Sequence, residues 1–153
     1  MGKEYKYLED YSVGEKMISP GRTVTETDIV SFAGITGDWH PLHTDREYAA
    51  RGPFKERIAH GMLTLSIGMA LPFRRGPYSS YLPESFIAFY GMDKVRFTSP
   101  TRIGDTIHCE VEVVDITEKD KNRGVLTTQH AIRNQKGDVL ISYVVKVLCG
   151  KKP

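Results

Sequence analysis

The run Gly61-Met62-Leu63-Thr64-Leu65-Ser66-Ile67-Gly68-Met69-Ala70-Leu71, closed by Pro72, is the stretch whose reading decides the fold. Apolar side chains surround nearly the whole helical wheel, which predicts a helix that is buried rather than laid on a surface. A buried strand is the competing reading, because a short apolar run between prolines has no decisive period. A length of roughly three turns favours the helix. It is well short of the ~20 residues needed to span a bilayer. Small residues at Gly61, Ser66, Gly68 and Ala70 leave room for a close neighbour.

Beyond this run the period changes to two. Ile107, Cys109, Val111 and Val113 alternate with His108, Glu110 and Glu112, the pattern of a half-buried strand. Val139, Ile141, Tyr143, Val145 and Val147 form one face of a last strand, with Ser142 and Lys146 on the other. Val125 to Arg133 lies between two turn sequences, Lys121-Asn122-Arg123-Gly124 and Asn134-Gln135-Lys136-Gly137-Asp138. Val95 and Phe97 close an earlier strand ahead of Ser99-Pro100. One buried helix followed by an antiparallel meander implies an α+β domain whose sheet wraps the helix. The uncovered face or edge of such a sheet is a natural seat for a second subunit.

Towards the N-terminus, Lys16 to Thr25 reads as extended and is broken by Pro20-Gly21. Glu26 to Ala33 reads as a helix, with Thr25 or Thr27 as its N-cap. Gly34 to Thr44 is expected to be irregular, and Asp45 to Arg51 to form a short helix stopped by Gly52-Pro53.

The chain has 153 residues, the usual size of a single domain, and one domain over 1–153 is the expectation. Its 21 basic and 19 acidic residues nearly balance at a net +2, so there is no electrostatic footprint for nucleic acid. The first residues lack the apolar core of a signal peptide, and no run is long enough for a membrane span. Cys109 and Cys149 make neither a disulfide framework nor a metal quartet, and Cys109 reads as a buried free thiol. A cytoplasmic enzyme or binding protein is the expectation.

The chemistry-bearing stretch is Gly37-Asp38-Trp39-His40-Pro41-Leu42-His43-Thr44-Asp45. Asp38 and His43 stand five apart, a spacing that would misalign them on a helix. In a segment stiffened by proline they can converge on one water and move its protons, which is general acid–base work. Taken singly, an Asp after Gly also reads as a turn residue, and a His near Pro as an ordinary loop residue. His40 adds a second imidazole and opens a metal reading with Asp38 and His43. No cysteine cluster or second ligand pair completes a known metal pattern, so no metal is expected. Farther on, Ile58-Ala59-His60-Gly61-Met62 leads into the apolar helix. A glycine at a helix N-terminus leaves a free amide reinforced by the helix dipole, suited to a thioester oxygen gaining negative charge. It equally suits tight packing alone.

Together, Phe32-Ala33-x-x-Thr36-Gly37-Asp38-x-x-Pro41-Leu42-His43-x-Asp45 and Ala59-His60-Gly61-Met62 resemble the MaoC-like dehydratases and (R)-specific enoyl-CoA hydratases. The resemblance implies a hot-dog fold, with the Gly61 helix enclosed by the antiparallel sheet, and a homodimer or a higher oligomer built on dimers. It implies that Asp38 and His43 activate the water while the Gly61 amide polarises the thioester carbonyl. His40 and His60 would then meet the substrate, an acyl-CoA thioester of fatty acid metabolism, with no metal or redox cofactor. Many members of that family carry Asn at the place of His40, and because Asn and His can both donate a hydrogen bond, local structure is expected to survive. An acyl-CoA thioesterase of the same fold and a non-catalytic acyl-thioester-binding protein are the alternatives. Against the first, the helix offers Thr64 and Ser66 but no acid. Trp39, Phe54, Phe73 and Tyr78 are candidate pocket walls, while Arg74, Arg75, Lys94 and Arg96 read as solvated surface charge.

Overall fold

A computed structural model describes residues 7–73 and 82–153. Two short strands, β1 (Lys16–Ile18) and β2 (Arg22–Thr23), precede α1 (Glu26–Thr36). Two short helices, α2 (Pro41–Thr44) and α3 (Arg46–Arg51), follow, and then α4 (Gly61–Ala70). Four long strands complete the chain: β3 (Phe86–Phe97), β4 (Thr106–Glu118), β5 (Arg123–Arg133) and β6 (Val139–Gly150). The sheet runs β1-β4-β5-β6-β3, with β2 also paired to β4, and every pairing is antiparallel. This is the α+β arrangement expected of the alternating C-terminal half.

The strand pattern places its apolar face where period two requires. Ile107, Cys109, Val111 and Val113 of β4 are at most 2% exposed, as are Ile141, Tyr143 and Val145 of β6. α4 packs on this face through Leu63, Leu65 and Gly68. Its glycine is required there, because a Cβ on Gly68 would lie 2.2 Å from Ile132 Cδ1. Each leucine so buried contributes about 1.5–3 kcal/mol, far more than helix propensity supplies over a turn.

The same helix corrects one expectation. It is apolar all round, yet only one side meets the sheet. Met62 is 56% exposed, and Gly61, Ser66 and Ala70 lie on the open side with it. β3 is similarly uncovered. It is an edge strand of twelve residues with no buried position, and Phe86, Ile87, Phe89 and Tyr90 are each at least 40% exposed.

α1 outlasts its predicted end by three residues, because Gly34 is carried inside the helix and Gly37 caps it in the left-handed conformation (φ 78°). At its start, Thr25 and Asp28 cap each other's backbone amides, and Arg22 closes on Asp28 at 2.6 Å. Such a cap contributes about 1 kcal/mol. Pro41, rather than leaving the segment irregular, starts α2, since its fixed φ suits the first helical position. Cys109 and Cys149 are buried free thiols. Among the described residues, no helix is long and apolar enough to cross a membrane.

Candidate active site

The loop after α1 and the start of α4 are tied together by hydrogen bonds that the local sequence provides. Thr36 bonds back to the Phe32 carbonyl and accepts the Asp38 amide. The Asp38 side chain then accepts the His40 amide at 3.2 Å. His40 is the N-cap of α2, its Nδ1 accepting the Leu42 amide at 3.1 Å. The local role of His40 is therefore that of an acceptor, where hydrogen-bond donation was the expectation. An Asn side-chain oxygen performs the same capping, so the exchange keeps the turn. Asp45 does likewise for α3, accepting the Tyr48 amide at 2.9 Å.

His43 projects from α2 toward the segment that precedes α4. Its Nδ1 lies 2.7 Å from the Ile58 carbonyl, so Nδ1–H donates and Nε2 keeps its lone pair. That segment is itself fixed. The Ala59 amide donates to the Thr101 carbonyl at 2.9 Å, Ile58 bridges to Arg102, and Thr64 bonds Thr101 side chain to side chain at 2.9 Å. Burial, the largest influence, holds the His43 imidazole below the usual histidine range, and the neighbouring His60 and His40 push the same way. The Ile58 bond and Asp38 oppose them. A histidine left unprotonated with a free Nε2 is equipped to take a proton.

Asp38, His43 and His60 each bring one side-chain oxygen or nitrogen to within 4.8 Å of the others. One water can bridge Asp38 and His43 over that span, given ordinary hydrogen-bond lengths. The trio is also a set of metal-ligand types. However, the His43 and His60 rings are stacked, with centroids 3.8 Å apart at 28°. Two imidazoles bound to one tetrahedral ion at about 2.0–2.1 Å would splay to centroids about 5 Å apart. The stacked pair would have to open before it could hold an ion.

The expected residues separate by exposure. Asp38 and His40 are exposed, His43 is half-buried, and His60 is only 2% exposed, lying behind His43 instead of on the open surface. Gly61 begins α4, and no side chain caps that end. Its amide is therefore one of the helix's orphan donors. A Cβ at Gly61 would meet the Phe97 ring at 2.9 Å, so close packing accounts for the glycine while the free amide is a property of the helix end. His43, Gly61, Phe54, Ile58, Thr64 and Phe97 line one cleft of about 290 Å³. Of the candidate walls, Phe54 is in this cleft, whereas the Trp39 ring lies 4.0 Å from a Cβ built on Gly34 and is 55% exposed. Phe73 is half-buried in the turn after α4. Lys94 and Arg96 are exposed on β3, and Tyr78, Arg74 and Arg75 lie outside the described residues.

An aspartate and a histidine beside an uncapped helix N-terminus, with that helix packed on an antiparallel sheet, narrow the comparison. Residues 10–135 match the MaoC like domain. The chain belongs to the MaoC-like family. Over 120 residues this MaoC-like chain is 36% identical to an (R)-specific enoyl-CoA hydratase of Rhodospirillum rubrum, covering 75% of itself and 74% of that protein. A 3-hydroxybutyryl-CoA dehydratase of Methylorubrum extorquens is 36% identical over 115 residues, 72% of this chain and 65% of that one. The match to protein MaoC of Klebsiella aerogenes is 39% identical but spans only 29% of that longer protein. Among solved structures, a MaoC-like dehydratase from Rhodospirillum rubrum superposes with a TM-score of 0.83 at 32% identity, covering 96% of this chain and 98% of its own. A protein from Archaeoglobus described as a monoamine oxidase regulatory protein gives 0.88 at 40% identity, covering 100% and 99%. The MaoC-like chain thus has the hot-dog fold, a description also carried by a double-hot-dog neighbour from Mycobacterium tuberculosis.

Proposed function

We propose that this chain adds water to trans-2-enoyl-CoA thioesters to give (R)-3-hydroxyacyl-CoA, or removes it in reverse. The observation that carries the reading is that His43 and the uncapped Gly61 amide share one cleft, with an Asp38 carboxylate oxygen within 4.8 Å of a His43 ring nitrogen. The water rests between the Asp38 carboxylate and His43 Nε2. Its O–H bond breaks, the oxygen bonds to C3 of the enoyl group, and the proton passes to the pair. Electrons from the C2–C3 double bond move onto the thioester carbonyl, whose developing charge the Gly61 amide stabilises. The pair then returns a proton to C2, and the elements of water have been added across the double bond. No metal or redox cofactor takes part, and the closely stacked imidazoles favour water over an ion. The (R) configuration follows the named activity of the Rhodospirillum relative.

A homodimer is part of the reading. The open side of α4 and the uncovered, aromatic edge of β3 together offer the surface that a second copy would cover. A reducing cytoplasm suits the two free thiols.

Crotonyl-CoA tests the proposal. Loss of the enoyl absorbance without release of free thiol, giving (R)-3-hydroxybutyryl-CoA, is the expected result. Released thiol would instead mean attack on the carbonyl, and an unchanged substrate would remove hydration altogether.

A further inference from the structure

His60 touches both members of the proposed acid–base pair, yet it is not among the residues that line the cleft. Its ring sits between Phe32, at 5.0 Å, and His43, stacked at 3.8 Å. Its Nε2 lies 3.0 Å from the Asp38 carbonyl, and only an N–H can bond there. The lone pair of the neutral ring is then on Nδ1, which is buried and has no partner among the described residues. An unpartnered buried nitrogen costs folding free energy that a phenylalanine of similar shape would avoid. Histidine nevertheless supplies a stacking ring and a ring N–H donor together in a side chain of this size.

We propose that His60 is a positioning residue: stacked on His43 and bonded to the Asp38 backbone, it sets the separation and orientation of the pair around their shared water. This rests on the reading that Asp38 and His43 work on one water. His43 is tethered to Ile58, two residues before His60 in the segment held against Thr101 and Arg102. The Gly61 amide follows directly. One fixed segment therefore registers the base, the acid and the oxyanion donor. The ionisable side chains facing His43 are Asp38, His40 and His60, so removing His60 also removes one imidazole that resists protonation of His43.

Two variants separate the contacts. His60→Phe keeps the ring and loses the donor, and His60→Gln keeps a donor and loses the ring. Each is expected to lower kcat on crotonyl-CoA about ten- to hundredfold with KM held within about threefold, since displacement of a catalytic group by about 1 Å costs that order in rate. In His60→Gln, the His43 titration followed by NMR is expected to move to higher pH, carrying the acid limb of the rate profile with it. Wild-type kcat in both variants, or a loss confined to KM, would overturn the proposal. In the unaltered protein, long-range 1H–15N spectra are expected to show the Nε2–H tautomer for His60 and Nδ1–H for His43. The opposite His60 tautomer overturns the proposal whether or not the variants fold. If the wild type hydrates no enoyl thioester, the functional reading fails by itself, and the substrate-free spectra still decide the role of His60.

Discussion

His43 and His130 are both held below the ordinary histidine range by burial, and they show how little burial alone says about function. His130 lies in β5 at 2% exposure and is pushed down to about 4. Both of its nitrogens are occupied, Nε2 by Thr128 Oγ1 at 2.8 Å and Nδ1 by Cys109 Sγ at 3.5 Å, and its ring stacks on Tyr143 at 4.9 Å. Cys109 itself is pushed up to about 12 by the same burial. His43 has one nitrogen anchored on Ile58, and the residue lines a cleft. The difference is an open valence: His130 is a satisfied core side chain, whereas His43, among the described residues, has a single hydrogen-bonded nitrogen and lines a cleft, as the proposed base requires.

Exchanging each for glutamine gives the largest test of that contrast. His43→Gln is expected to lower hydration at least ~100-fold while the melting temperature stays near wild type. His130→Gln is expected to leave kcat of the folded protein intact and to reduce stability by about 1–3 kcal/mol, read from denaturant unfolding. Loss of turnover from a folded His130→Gln would erase the distinction.

A pH series on the folding equilibrium sharpens it further. The folded His130 titrates near 4 against 6.5 for an ordinary histidine, so the unfolded chain binds the proton first as pH falls. Its contribution to stability is complete above pH 6.5 and is lost progressively toward pH 4, by about 3 kcal/mol in total. The His130→Gln variant should show a shallower acid slope over that window, and an unchanged slope would contradict the assignment. The smallest effect belongs to His40→Asn. Because both side chains cap α2, kcat is expected to stay within about threefold, measured on the same thioester.

The fold was legible where a period is strong. Residues 107–113 and 139–147 alternate cleanly, and they form the buried face as read. The helix at Gly61 was legible in type but not in surroundings, because an apolar wheel shows that every side can be buried without showing what covers each one. The end of α1 was misplaced because Gly34 and Gly37 look alike in sequence. Only the left-handed backbone at Gly37 marks the cap.

Candidate members of the site could be named from the sequence, but their arrangement could not. Asp38, His43 and Gly61 were marked by residue type next to proline and helix signals. The placement of His60 behind His43 depends on a contact across seventeen residues of chain, which no local spacing encodes. The packing of Phe97 over Gly61 joins β3 to α4, and sequence offered no signal for it.

The central claim, that Asp38 and His43 act as one unit on one water, is tested most directly by a double-mutant cycle on crotonyl-CoA hydration. Asp38→Asn and His43→Gln are each expected to cost at least ~100-fold in kcat, and the double variant to be no slower than the worse single one. Losses that multiply in the double variant would mean two independent contributions and would contradict the shared water.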